Sequence, residues 1–278
     1  MLKVFKDYLV KEGKSSNTIN TYTRHIQGYI NWFKDTTGEE INKLYRSNIL
    51  EYKSFLQNIK QDSAKTINNK LSALVKLNEC LIENGIQADV VITKKDFIKV
   101  QSQVASLATV YKKDVEAFRQ KVLEHEGLRN YAIVTIMAYA GLRISEVLNL
   151  KTNDVDLASK ELIVKEGKGN KERIVYINSK IIESIKEYLK VRKEDNTDYL
   201  FISNKGGKLD RTVINKVFKK HSDKITPHTL RHFYCSNALE AGFSVHEVAN
   251  QAGHSNIHTT LLYTNPSKEK MKNKAELL

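Results

Sequence analysis

The stretch KELIVKEGKGNKERIVYIN, residues 160–178, decides the fold class. Along most of the chain the apolar residues recur at helical spacing; here they do not. Two short runs, residues 162–165 and 173–177, are rich in β-branched residues and flank a basic turn that carries two glycines. Short β-favouring runs either side of such a turn predict an antiparallel hairpin. The segments around it read as helix. The expected architecture is therefore mainly α, with an α+β second half built around a small antiparallel sheet.

Working outward toward the N-terminus, four amphipathic segments follow one another. FKDYLVKEG places Phe5, Tyr8 and Leu9 at helical spacing, and Gly13 suits its stop. In NTINTYTRHIQGYINWF the residues Ile19, Tyr22, Ile26, Tyr29, Ile30 and Phe33 form one apolar stripe, with Asn17 as the expected cap. SNILEYKSFLQNI repeats the pattern more briefly, with Ser47 or Asn48 as cap. SAKTINNKLSALVKLNECLIENG is longer, with Ser63 as cap and Gly85 past its end. Four such helices with short connections predict a bundle over residues 1–86. Arg24, Lys65 and Lys70 fall off the apolar stripes, where they face either a DNA groove or water.

Residues 87–108 break the helical periodicity and read as a linker, with a second domain over 109–278 that ends in a short tail. TVYKKDVEAFRQKVLEH and LRNYAIVTIMAYAG are helical in pattern, and the second is apolar on most faces, as expected of a buried central helix. A short extended piece is expected near residues 199–203.

A length of 278 residues accommodates two domains, and 41% hydrophobic residues suffices for packed cores. The net charge is +13. Such an excess favours a polyanionic partner, because basic groups that meet phosphates release condensed counterions. The two cysteines, Cys80 and Cys235, lie far apart and suggest neither a disulfide framework nor a zinc module. No apolar run is long enough to span a bilayer, and MLKVFKDYLVKEGK lacks a signal-peptide block. The expectation is a protein of a reducing cytosol, with no membrane partner.

Four short motifs carry the chemistry. AGLRISEVLNL, residues 140–150, puts Arg143 after an apolar helix and a glycine, three residues before Glu146. By itself it reads first as a surface ion pair at a helix start, because such pairs are common. GKGNKER, residues 167–173, sets Lys168 and Lys171 on a glycine-bearing turn that can approach a phosphate, or is simply an exposed basic tip. It lacks the Walker spacing, which excludes that mode of nucleotide binding. In TPHTLRHFY, Pro227 suits the first turn of a helix capped by Thr226, with His228 and Arg231 on one face. Arginine can hold phosphate oxygens through two parallel hydrogen bonds, and a histidine can exchange a proton near neutral pH. AGHSNIHTTLLYTN supplies His254, His258 and Tyr263. The two histidines have helical spacing, but the H-E-x-x-H pattern and an acidic cluster are missing, so no metal is expected.

The order of these motifs resembles that of the tyrosine recombinases, the phage-integrase family, and most closely its Xer-type members: Arg143 in AGLRISE, Lys168 in GKGNKER, His228 and Arg231 in HTLRH, His254 in GHS, and Tyr263 nine residues on. The resemblance covers roughly residues 109–270, and the N-terminal helices are similar in pattern to that family's core-binding domain. It implies a site-specific recombinase that cuts and rejoins DNA through a 3′-phosphotyrosyl intermediate and a Holliday junction. It implies Tyr263 as nucleophile, Arg143 and Arg231 as a clamp on the scissile phosphate, and Lys168 as general acid. His228 would assist proton transfer, His254 would hydrogen-bond the phosphate, and Glu146 would support the arginine. Arg24, Lys65, Lys70 and Lys171 are candidate DNA contacts. No cofactor is implied, since the phosphotyrosine conserves the bond energy. The implied assembly is a homo-tetramer on two paired double-stranded sites, with the tail docking on a neighbouring protomer or fraying. Gln251 and Ala252 stand where leucines are frequent, and Asn265 where a histidine is; these blur the subfamily, with a transposon-encoded cointegrate resolvase among the expectations. A type IB topoisomerase-like enzyme and a non-catalytic DNA-binding relative are the alternatives.

Overall fold

The computed structural model describes residues 1–100, 110–165, 172–193, 196–254, 256–261 and 275–276. The chain divides into two compact units, Met1–Gln103 and Val104–Leu278. Among the described residues no helix is long and apolar enough to cross a membrane.

The first unit is a four-helix bundle: α1 (Leu2–Lys11), α2 (Ser16–Thr37), α3 (Arg46–Asn58) and α4 (Ala64–Glu83). The apolar stripes read from the sequence meet at its centre, where Phe5, Leu9, Ile26, Tyr29, Ile49, Leu71 and Leu77 are completely buried. Each such Leu or Ile contributes roughly 1.5–3 kcal/mol through burial. Ser63 caps α4 as expected, accepting from the Thr66 N–H. α2 starts earlier than its stripe suggests: Ser15, not Asn17, accepts from the Thr18 N–H. α3 begins at Arg46 behind Tyr45 with no side-chain cap, so neither Ser47 nor Asn48 serves. Part of the stretch read as a linker packs on this unit. The Gln87 amide bonds both backbone groups of Leu44, and Ile92 is buried. Periodicity does not reveal such a segment, because side-chain hydrogen bonds rather than a repeating apolar face hold it.

The second unit is built around α5 (Lys112–Ala140). Gly127, at φ 78° and ψ 177°, breaks this helix into the two pieces that the sequence pattern separates. The second piece, with Ala132, Ile133, Val134, Ile136 and Ala138 all fully buried, is the core of the unit. α6 (Ile144–Asn149), α7 (Ser179–Val191), α8 (Arg211–His221) and α9 (Pro227–Glu240) pack against it. α10 (Val245–Ala252) and the single turn α11 (His258–Leu261) follow.

The expected hairpin is β2 (Glu161–Val164) and β3 (Arg173–Tyr176), paired antiparallel with Leu162 opposite Val175 and Val164 opposite Arg173. A third strand, β1 (Val155–Asp156), pairs with β2 and completes the order β1-β2-β3. At two residues it is too short to leave a periodic signature. The piece near residues 199–203 enters only isolated bridges, Lys151 to Tyr199 and Ile202 to Lys208. β3 packs on α10, and the Gln251 side chain accepts the Tyr176 N–H at 3.1 Å, so a side chain closes that point of the sheet edge.

Candidate active site

The site begins where α5 ends. Gly141 takes the left-handed conformation, φ 65°, and stops the helix. Its place has no room for a side chain: a Cβ would lie 2.2 Å from the Tyr234 ring. Two residues on, Arg143 opens α6 from an extended backbone, and Glu146 accepts its N–H at 2.8 Å. The same carboxylate accepts from Arg143 Nη1 at 2.8 Å, and Arg143 Nη2 reaches the carbonyl of Gly253 at 2.9 Å. The pair read as a surface contact is thus half internal: Glu146 is 5% exposed, while the Arg143 side chain keeps 35% of its surface.

Arg231 comes from α9, whose start is as read: Thr226 caps it, Pro227 sits in its first turn, and the Thr229 N–H bonds the Thr226 hydroxyl. Arg231 is buried, and its Nη1 donates to the Gly141 carbonyl at 2.7 Å. Its Nη2 is buried with no hydrogen-bond partner among the described residues. Burial first, and then the Arg143 charge, pull this guanidinium down to about 10. A buried cation with an unused donor beside a second cation is a site built for an anion.

His254 follows Gly253, which ends α10 in the left-handed conformation at φ 68°. Its Nδ1 shares a hydrogen with the Thr260 hydroxyl at 2.7 Å, and Thr260 is fully buried in α11. Burial, then the charges of Arg231 and Arg143, lower its pKa to about 4, so the imidazole is neutral near pH 7. His228 is exposed at the start of α9. Its ring meets that of His232, one turn on, edge to face at 4.0 Å. His232 is held near 4 by burial and by its neighbours His228 and Arg231.

The structure therefore brings Arg143, Glu146, Arg231 and His254 together, with His228 at the edge through His232. Lys168, Lys171 and Tyr263 lie outside the described residues. In the first unit, Arg24 and Lys65 are exposed, whereas Lys70 is half-buried and ion-paired with Asp62 at 2.6 Å. Among the described residues no group of three or more His, Cys, Asp or Glu side chains is placed to hold a metal ion.

Sequence reasoning assigned no role to Arg173. This residue opens β3 on the same inward face as Val175 and spans Glu146 with both terminal nitrogens, at 3.1 and 3.0 Å. It also donates to the carbonyls of Gln251, at 3.2 Å, and Ala252, at 3.3 Å. Burial pushes the Glu146 carboxyl up, but the hydrogen bonds and charge of Arg173, followed by those of Arg143, hold it below the ordinary carboxylate range. The available signal was an arginine at an inward register position of a strand, where an unpaired charge does not sit. Arg143 and Arg173 share the buried Glu146 carboxylate, and Arg231 feels its charge, so three guanidiniums against one carboxylate leave net positive charge among the described residues. This arrangement suits a phosphate diester whose charge rises during substitution.

Comparison with known proteins places both units in one family. Residues 108–270 match the phage integrase family, and residues 2–85 match the phage integrase N-terminal SAM-like domain. The chain is 55% identical to the TnP I resolvase of Bacillus thuringiensis over 280 residues, covering 99% of both chains. It is 29% identical to the tyrosine recombinase XerA of Pyrococcus horikoshii, covering 95% of this chain and 88% of that one. Among solved structures, the Tn1549 transposon integrase bound to transposon right end DNA superposes with a TM-score of 0.75 at 19% identity, covering 99% of this chain and 98% of that one. A crystal structure of XerA recombinase matches at 26% identity with a TM-score of 0.54, covering 99% and 96%.

Proposed function

The chain belongs to the phage integrase family and is a tyrosine-type site-specific recombinase that cleaves and rejoins DNA; from that premise we propose how its own residues divide the reaction. Arg143 and Arg231 clamp the non-bridging oxygens of the scissile phosphate. His254 donates a further hydrogen bond to it, and Glu146 holds Arg143 in place. The Tyr263 hydroxyl attacks phosphorus and gives up its proton, with His228 assisting the transfer. The P–O5′ bond breaks as the phosphotyrosyl bond forms at the 3′ end, and Lys168 protonates the leaving 5′ oxygen. Rejoining reverses these steps, so no outside energy source enters.

The observation that carries this reading is the Arg231 guanidinium. Nη2 is buried without a partner among the described residues, and the Arg143 charge beside it destabilises the cation further. Keeping two like charges together is costly unless an anion joins them. Fixed cations aimed at a charge that grows in the transition state are an effective catalytic arrangement.

The partner is DNA. The assembly we propose is a homo-tetramer on two paired sites, exchanging one strand pair at a time. The first unit, with Arg24 and Lys65 exposed, holds the duplex together with Lys171 on the β2–β3 connection. The domain division proposed is residues 1–86, a connection over 87–108 whose first part packs on the bundle, and a catalytic domain over 109–278 whose tail docks on a neighbouring protomer. High identity to a resolvase supports a role in resolving transposon cointegrates, at the nucleoid of a bacterial cell.

A plasmid with two direct copies of the DNA flanking the gene tests this reading. Two smaller circles are expected with the native protein and none with Tyr263→Phe. Relaxation of unrelated plasmids without any site pairing would overturn it in favour of a topoisomerase-like enzyme.

A further inference from the structure

Arg173 makes four hydrogen bonds: two to Glu146 and one each to the carbonyls of Gln251 and Ala252. A guanidinium has five donors, so this one is largely occupied before any ligand arrives. Its side chain retains 16% of its surface, against 35% for Arg143. It is not placed to grip substrate itself. Its partners, however, are the groups that orient two residues that do.

The first is Arg143. Glu146 holds the Arg143 backbone and Nη1, and the Gly253 carbonyl holds Nη2. The second is His254, which directly follows the carbonyls of Gln251, Ala252 and Gly253. These carbonyls end α10, where the last turn lacks helical donors and carries partial negative charge. Arg173 and Arg143 supply donors there. The backbone at Gly253 also leaves just enough space, since a Cβ would lie 2.6 Å from Arg173 Cζ.

Charge matters as much as geometry. Glu146 alone would neutralise Arg143, because it lies 2.8 Å from Nη1. Arg173 shares that carboxylate at 3.0 Å, so its charge is divided between two cations. A hydrogen-bonded lysine could restore the charge but not the four-way span.

We propose that Arg173 is a positioning residue for the phosphate clamp: by bridging Glu146 to the end of α10, it fixes Arg143 and His254 and keeps the clamp positively charged. This rests on the reading that Arg143 and Arg231 hold the scissile phosphate.

The test compares single-turnover cleavage of two nicked duplexes of the flanking DNA by the full chain. One carries the ordinary phosphodiester and the other a neutral methylphosphonate at the scissile position. For Arg173→Lys and Arg173→Gln, cleavage of the ordinary duplex is expected to fall by about 10–100-fold, the scale of losing a group that orients the residues holding a ligand. On the methylphosphonate, which lacks the charge that the clamp neutralises, the loss is expected to shrink to within about threefold, because the impaired clamp is then no longer needed. Duplex binding and the thermal midpoint of Arg173→Lys are expected to stay close to native. Equal losses on both duplexes, or no loss on either, would overturn the proposal by reducing Arg173 to a structural contact. If Arg173→Gln does not fold, Arg173→Lys decides. Arg143→Ala is run alongside: if it shows no selective loss on the charged duplex, the clamp reading itself fails. If it does, and the Arg173 variants do not, only the positioning role fails.

Discussion

Arg231 donates to the carbonyl oxygen of Gly141 at 2.7 Å, tying the middle of α9 to the end of α5. One bond thus fixes the position of a buried cation on the residue that stops the central helix. It leaves Nη2 for an anion, while the left-handed backbone at 141, φ +65°, calls for the glycine two residues before Arg143. The Tyr234 ring occupies the space that any side chain at 141 would enter.

Arg231→Met separates stability from chemistry. The substitution removes a buried cation that is pulled down to about 10, which favours the folded state. It also leaves the Gly141 carbonyl without its donor, at a cost of about 1–3 kcal/mol. These contributions oppose each other, so a thermal midpoint within about 4 °C of native is expected. Cleavage should fall by at least about 100-fold. Thermal unfolding and single-turnover cleavage on one preparation check both.

Alanine at the two left-handed glycines should fail in different ways. At 141 the new Cβ meets a buried ring at 2.2 Å, on a backbone with φ +65°. The conformation alone costs roughly 1 kcal/mol, and the clash adds to it. Gly141→Ala is therefore expected to lose more than about 2 kcal/mol in denaturant unfolding. At 253 the new Cβ meets the far end of Arg173, which can move. Gly253→Ala should lose only about 1–2 kcal/mol, the left-handed cost, but should cut cleavage about as much as Arg173→Lys does.

The histidines give a pH dependence with a definite sign. His232 and His254 sit near 4, below the ordinary 6.5, because both are partly buried beside cations. Well above pH 6.5 they are neutral in both folded and unfolded chains and contribute nothing. As pH falls from 6.5 toward 4 the unfolded chain takes up protons first, so stability drops. Midpoints at pH 7.5 and 5.0 should show that drop, and it should be smaller in His232→Asn. A phosphate at the clamp should raise the His254 pKa, visible as a shifted NMR titration when the flanking duplex is added.

Salt dependence distinguishes the candidate DNA contacts of the first unit. Each neutralised phosphate adds about 0.9 to the slope of log affinity against log salt. Arg24→Ala and Lys65→Ala should each lower the slope by about that amount. Lys70 is already paired with Asp62 at 2.6 Å, so Lys70→Ala should change it less. Binding titrations at several salt concentrations measure all three.

Much of this was legible in the sequence, for physical reasons that also mark what was not. The apolar stripes of α2 and α4 and the β2–β3 runs are local repeats, and burial follows from them directly. Arg143, His228, Arg231 and His254 stand out as candidates because their order along the chain matches a family pattern, although each motif alone fits a plain helix start. Arg173 lies within GKGNKER, where nothing local assigns it a role. Its partners, Glu146 and the end of α10, lie 27 and 78 residues away, and no local pattern encodes such a contact. β1 escaped because two residues carry no periodicity. The packing of residues near Gln87 escaped because amide-to-backbone bonds hold it.

The central claim is that Tyr263 becomes covalently joined to DNA at a phosphate gripped by Arg143 and Arg231. Covalent trapping tests it most directly. The native protein and Tyr263→Phe are incubated, without divalent metal, with nicked duplexes from the DNA flanking the gene and run on denaturing gels. An adduct with the native protein alone, on one duplex, is the predicted result. An adduct that persists with Tyr263→Phe, or none on a duplex the native protein binds specifically, would contradict it.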